Sequence, residues 1–177
     1  LAQEEKHSER ALLIGVDEFV SRPSAYPSSA NNVSAVQEML KAAAQPPDAV
    51  VVPQEPVTSA QQLAALIRDT FEQALPGDIN YLYSSTHGLY DPQNGVEPQL
   101  LLSDGIVEGS VTPAQLEAAF DGIAGTKVII LDACNSGAFI GKGLSQQPEE
   151  LNFLGEDFKV LTSSGALEES WYWNSGD

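Results

Sequence analysis

An α/β fold on a mostly parallel sheet is predicted by three observations. Strand-length apolar runs alternate with helix-length amphipathic segments along the chain. Two of the runs, 11–16 (ALLIGV) and 127–131 (KVIIL), are almost unbroken in apolar character, as strands covered on both faces are. Polar and nucleophilic residues gather just after the predicted strands, where open parallel sheets keep their functional crevice.

The elements follow in order. Residues 11–16 form the first strand. After a polar loop at 21–30, a helix over 31–43 carries Val33, Val36, Met39 and Leu40 on one face. Segment 45–56 is Pro-rich at both ends but encloses an apolar run, so it reads as loop, strand (50–52) and loop, not as a domain linker. Thr58 with Gln61 is expected to form a capping box that opens a helix reaching about Leu75, with Leu63, Leu66, Ile67 and Phe71 inward and Pro76-Gly77 as the stop. Residues 79–84 (INYLYS) form a strand that ends at Thr86-His87-Gly88. Residues 100–102 read as a hairpin arm before an Asp104-Gly105 turn. Thr112 as cap, Pro113 at the first helical position and Gln115 three residues after the cap open another helix, with Leu116, Ala119 and Phe120 inward. Strand 127–131 ends at Asp132-Ala133-Cys134, and strand 159–162 ends at Ser163-Ser164.

Composition bounds the function. The 177 residues fit one domain and suffice for a full core. With 8 Lys+Arg against 25 Asp+Glu the formal charge is −17, which argues against nucleic acid or an anionic membrane as partner and permits attraction to cationic substrates. At 42% hydrophobic and 19% charged the chain is not a disordered acidic tail. No apolar run reaches the roughly 18–20 residues of a membrane span. Cys134 is the only cysteine, so an intrachain disulfide and a Cys-rich metal site are excluded, and a reducing, cytoplasmic setting is expected. Asn32-Val33-Ser34 matches a glycosylation sequon, but it falls at the start of a predicted helix.

The strand ends carry the chemistry. A free thiol titrates at about 8.5 and is mostly protonated near neutrality, so a nucleophilic cysteine needs a base or a positive dipole beside it. His87 ends one strand and Cys134 another, and an imidazole suits that proton transfer. Gly88 and Gly137 permit close backbone approach, and the amides of Gly88 and Cys134 are placed to receive a developing oxyanion. His87 and Cys134 are therefore the candidate catalytic pair, with a buried inert thiol and a satisfied loop histidine as the alternatives.

These motifs resemble a known family. Tyr83-Ser84-Ser85-Thr86-His87-Gly88 looks like the strand end that carries the histidine of the caspase-like cysteine peptidases. Asp132-Ala133-Cys134-Asn135-Ser136-Gly137 looks like the nucleophile segment of metacaspases and bacterial orthocaspases. His87 precedes Cys134 by 47 positions, near the roughly 50 of the caspase order. Ala30-Asn31-Asn32-Val33 sits where metacaspases carry a small residue followed by Asn-Asp, and Leu161 to Ser170 resembles the loop after their fifth strand, so the likeness spans about residues 11–170.

The resemblance implies a three-layer αβα sandwich and a cysteine endopeptidase in which Cys134 attacks the scissile carbonyl, His87 moves the proton, and no organic cofactor or metal takes part. It implies a preference for Arg or Lys at P1, with Asp132, Ser85 and Asn32 in the substrate pocket. Asp17, Glu168 and Glu169 are considered as further charge, and Ser163 and Ser164 as further substrate-binding residues. Two positions depart from the family pattern: Asn32 stands where metacaspases have a second pocket Asp, and Thr86 where the family has Gly. Calcium activation, as in many metacaspases, would draw on acids such as Asp91 and Asp104.

The family has six main strands, and five are read here. The expectation is therefore a large-subunit-like domain partnered by a C-terminal small subunit or by the remainder of the same polypeptide, against which Trp171, Tyr172 and Trp173 would pack. The alternatives are a clostripain- or legumain-like peptidase with another P1 preference, and a catalytically impaired caspase-like binding or scaffold module. A nucleotide-binding domain is a poor third, because 136–143 (SGAFIGKG) lacks the phosphate-loop spacing.

Overall fold

A computed structural model describes residues 7–25, 28–141 and 151–170. Strand β1 (Glu9–Gly15) leads to helix α1 (Ser29–Lys41), then β2 (Ala49–Val51), α2 (Ala60–Phe71) and β3 (Ile79–Ser85). Three further strands follow, β4 (Gly88–Asp91), β5 (Val96–Ser103) and β6 (Glu108–Val111), and then α3 (Pro113–Ala118), β7 (Thr126–Asp132) and β8 (Phe158–Thr162). The main sheet has the order β2-β1-β3-β7-β8 and every pairing in it is parallel. Strands β4, β5 and β6 form a separate antiparallel sheet, in the order β4-β5-β6.

The apolar runs are continuous because both faces of the sheet are covered. Along β1, Leu12 and Ile14 point to the α2/α3 side and join Ile67, Phe71, Leu82, Leu116, Ile129 and Leu131 in the larger core. Ala11 and Leu13 point the other way, with Val33 of α1 and Tyr83, backed by Val36 and Leu40. Two-residue periodicity within a strand and two covered faces give the layered α/β architecture expected from the sequence.

The five predicted main strands are those of the parallel sheet, and the Thr112, Pro113 and Gln115 start of α3 is a complete capping box. Four details differ. The cap of α2 is Ser59, one residue later than Thr58 and Gln61 suggest: its Oγ accepts from Gln62 N at 3.2 Å, while Gln62 Oε1 takes the Thr58 N–H at 2.8 Å and not the Ser59 N–H that a capping box would use. That helix ends at Phe71, and Leu75 is exposed. Met39 is exposed as well, because α1 meets the sheet through Val33, Val36 and Leu40. Strands β4 and β6 are new: each is four residues long and contains glycine, too short for a periodic signal.

Among the described residues no helix is long and apolar enough to cross a membrane. Trp171, Tyr172 and Trp173, and 142–143 of the glycine-containing segment, lie outside the described residues.

Candidate active site

Strands β3 and β7 are parallel neighbours, with Tyr83 opposite Ile130 and Ser85 opposite Asp132. The offset in that ladder is 47, the same number that separates His87 from Cys134. Each residue therefore stands two positions beyond a paired strand end, on the carboxyl edge of the sheet. Thr86 N still donates to Asp132 O at 3.3 Å, so the two chains stay together past the ladder. At Gly88 they touch: a Cβ built there would stand 1.9 Å from the Cys134 carbonyl oxygen. No residue with a side chain fits, which accounts for the His-Gly sequence.

The nucleophile loop is braced from below. Ala133 N donates to Ser163 Oγ at 3.0 Å. Ser164 Oγ donates to Ala133 O at 2.9 Å and accepts from Ser136 N at 3.2 Å. Asn135, just after the cysteine, adopts a left-handed conformation (φ 55°), which turns the chain into the 3-10 helix of Ser136–Ile140. Its amide donates to Glu168 O at 2.8 Å and its side-chain nitrogen to Ala166 O at 2.9 Å. Asn tolerates this backbone region better than other side chains. Ser163 and Ser164, grouped above with substrate binding, thus spend their hydroxyls on the main chain around Cys134. Glu168 is similarly engaged, its carboxylate accepting from Gly165 N at 2.8 Å.

The half-buried thiol of Cys134 meets the backbone of Ser170: the Ser170 N–H donates to Sγ at 3.3 Å, and Ser170 O lies 3.9 Å away. The His87 ring lies against Phe19, with centroids 4.5 Å apart. Its Nε2 is 3.2 Å from the Pro23 carbonyl. A carbonyl only accepts, so this contact places a proton on Nε2 and leaves Nδ1 as the basic lone pair in the neutral ring. No hydrogen bond joins the imidazole to the thiol in this conformation. Phe19 and Pro23 were not foreseen, and no sequence signal marks a main-chain carbonyl as a base-orienting group.

The loop that carries Phe19 and Pro23 is itself anchored. Glu108 of β6 accepts from Val20 N at 2.8 Å and Ser21 N at 3.2 Å, and takes the Ser21 hydroxyl. The Ser21 hydroxyl is the main cause of a Glu108 carboxyl held below its ordinary range.

The predicted pocket residues fall in two places. Asn32 Nδ2 donates to Ser85 Oγ at 3.2 Å, and that hydroxyl donates to Ser29 Oγ at 3.1 Å. Asp132, half-buried, accepts from Tyr83 Oη at 2.9 Å. Ser85 and Asp132 are opposite each other in the ladder, so these three residues share the carboxyl edge of β3 and β7 with His87 and Cys134. Asp17 is committed elsewhere: its carboxylate takes the Ser29 N–H and the Ala30 N–H at the start of α1. Thr86 also has a structural occupation, its hydroxyl donating to Leu101 O of β5 at 2.6 Å and tying the two sheets together.

The acids considered for calcium do not form a cage. Asp91 folds back on Asn94 and Gln93, and Asp104 on the amides of Ile106 and Val107; these bonds hold both carboxyls below their ordinary range. Calcium takes six to eight oxygens, and among the described residues no three His, Cys, Asp or Glu side chains converge. Among the described residues, these acids do not form a site that fits that ion.

A sequence model described as the CHAT domain matches residues 1–160. Two crystal structures are similar in fold. One is caspase-1 from Spodoptera frugiperda, at 20% identity and a TM-score of 0.55, covering 94% of this chain and 62% of that one. The other is a protein of Geobacter sulfurreducens, at 19% identity and a TM-score of 0.53, covering 73% of this chain and 51% of that one. This chain thus matches less than two thirds of the length of either. No curated protein sequence matches it.

Proposed function

The chain belongs to the CHAT domain family and has a caspase-like fold, and from these premises we propose that it is a cysteine endopeptidase acting through His87 and Cys134. The observation that carries the reading is the shared offset of His87 and Cys134 on neighbouring parallel strands, with the Gly88 backbone packed on the Cys134 carbonyl.

The chemistry runs through these groups. Nδ1 of His87 takes the thiol proton as Sγ of Cys134 attacks the scissile carbonyl carbon and forms the C–S bond. The Pro23 carbonyl holds the Nε2–H and steadies the imidazolium, as an acceptor on the far nitrogen does. The amides of Gly88 and Cys134 receive the oxyanion. The C–N bond breaks and the amine leaves with the proton from His87. Water then attacks the thioester, with His87 as base, releasing the acid and restoring the thiol. No organic cofactor or metal enters this sequence.

Asp132 supports a basic P1 residue, with Ser85 and Asn32 as neutral neighbours; this is the metacaspase-like part of the proposal. A single carboxylate attracts a cation less strongly than two, so the preference is expected to be moderate. A protein or peptide is the partner. A further strand, from a small subunit or the rest of the polypeptide, would add to β8, which ends the sheet among the described residues and has Leu161 exposed. A lone thiol nucleophile suits a reducing, cytoplasmic setting.

The test is a fluorogenic peptide panel varied at P1, run with wild type, Cys134→Ala and Asp132→Ala. Cleavage after Arg or Lys, abolished by Cys134→Ala and reduced by Asp132→Ala, is the expected result. Cleavage that survives Cys134→Ala would falsify the mechanism, and a preference for Asp at P1 would overturn the specificity alone. The Ser170 backbone over the thiol favours one second reading, a binding module without turnover. Failure of a peptidyl chloromethyl ketone to label Cys134 would select it.

A further inference from the structure

Away from Cys134, at the carboxyl ends of β1 and β2, lies a cavity of about 400 Å³. Its apolar lining comes from Val16, Val33, Val52 and Val57. Its acids are Asp17, Glu18, Glu55 and Asp104, and no Lys or Arg among the described residues lines it. One wall is the segment 52–57, which contains Pro53 and Pro56. Proline has no N–H, so at those two positions the wall offers only carbonyl acceptors. Asp17 and Asp104 accept hydrogen bonds from backbone amides, and Glu18 accepts from Ser24 Oγ at 2.6 Å, yet each carboxylate has spare lone pairs. The cavity therefore combines an apolar surface with acceptors and negative charge.

We propose that this cavity is a docking site for a peptide segment in which an aliphatic residue adjoins Lys or Arg. The aliphatic side chain fills the valine-lined part, and the ammonium or guanidinium lies among the carboxylates and the proline carbonyls. A wholly apolar ligand would bury carboxylates without a partner, and an anion would meet four like charges; the complementarity selects an amphipathic cation. The site stands apart from the peptidase reading, since its lining includes neither His87 nor Cys134. If both are right, it holds a substrate or regulatory protein at a second point, adding affinity through effective concentration.

The test uses fluorescein-labelled Leu-Lys-Leu-Arg-Leu-amide and fluorescence anisotropy with the full Cys134→Ala chain, so that binding is read without turnover. Saturable binding is expected. It should weaken about tenfold in Glu55→Lys, where the local charge is inverted, and in Ser34→Trp, where an indole on an exposed position of α1 fills the cavity mouth. Replacing Lys and Arg of the peptide by Gln should weaken it to a similar degree. Asp132→Ala, in the proposed P1 pocket, should leave the Glu55-dependent part of the binding in place, which separates this cavity from that pocket. Equal affinity for the Gln peptide overturns the inference, as does loss of binding in Asp132→Ala but not in Glu55→Lys. Displacement by spermine at the same concentration as by the peptide also overturns it, because a polyamine has no aliphatic branch to fill the valine surface.

Discussion

Gly88 and Cys134 are in main-chain contact: the space a Gly88 side chain would need is filled by the Cys134 carbonyl oxygen, 1.9 Å from the ideal Cβ position. Ala133 Cβ, at 3.3 Å, closes the same space from the side. Neither neighbour can turn aside by changing rotamer. Gly88→Ala is therefore expected to destabilise the fold by about 3 kcal/mol, the upper part of the overpacking range. Urea unfolding measures it. A change below about 1 kcal/mol would show that the two strand ends separate easily.

Ser164 is expected to matter to the nucleophile loop through its main-chain hydrogen bonds. Its hydroxyl donates to Ala133 O and accepts from Ser136 N, so Ser164→Ala leaves two loop groups without that partner. The expected cost is about 1–3 kcal/mol. The rate of Cys134 alkylation should change in the same variant, while Ser24→Ala, at an exposed loop position, should leave it unaltered.

The ion pair between Lys127 and Asp157, at 2.5 Å, is asymmetric: the Lys127 side chain is 6% exposed and that of Asp157 is 49% exposed. Removing the outer partner strands the inner charge. Asp157→Ala should cost about 2 kcal/mol, below the range for a fully buried pair because water reaches the site. Lys127→Met should cost less, since it leaves a carboxylate that solvent can hydrate and an apolar chain on Phe158, over which the ammonium now sits at 5.5 Å. Chemical denaturation of both variants decides the order.

Acid should loosen the opposite end of the sheet through Asp78. Its carboxyl is lowered to about 2, first by the Leu75 amide, then by the Ser8 amide, with Arg10 adding a hydrogen bond at 3.0 Å. A carboxyl depressed in the folded state contributes stability that is fully present above its unfolded value of about 3.9 and is lost as pH falls towards 2. The gap in melting temperature between wild type and Asp78→Asn should thus be greatest near neutral pH and vanish near pH 2. A constant gap would assign the effect of Asp78 to packing.

Glu108 is expected to steady the loop that faces His87. Glu108→Ala removes the acceptor of the Val20 and Ser21 amides, so their hydrogen exchange should quicken. Unchanged protection of both amides would show that the loop is held by other contacts.

The main sheet was legible because covered parallel strands leave solid apolar runs, as in 11–16 and 127–131. The start of α3 was legible because Thr112, Pro113 and Gln115 satisfy local rules that need no tertiary partner. The cap at Ser59 was misplaced by one residue because Thr58 and Ser59 are both good caps, and only the reach of Gln62 decides between them. Strands β4 and β6 were hidden because four residues give no period. At the site, side chains with their own chemistry were readable, and His87, Cys134, Asp132, Ser85 and Asn32 do share one edge. What a backbone does was not: the Pro23 carbonyl on His87, the Ser170 amide on Cys134 and the engagement of Ser163, Ser164 and Asp17 with main-chain groups depend on loops meeting in space.

The ladder between β3 and β7 changes what the 47-residue interval means. All of β4, β5, β6 and α3 lies in the excursion that leaves one strand and returns to its neighbour. Residues could be inserted into that excursion, or removed from it, and the imidazole and the thiol would keep their places, provided each stayed two residues past its strand end. The interval counts the length of a detour. A search for relatives with the same chemistry should therefore fix the position of each residue against its own strand and let the distance between them float.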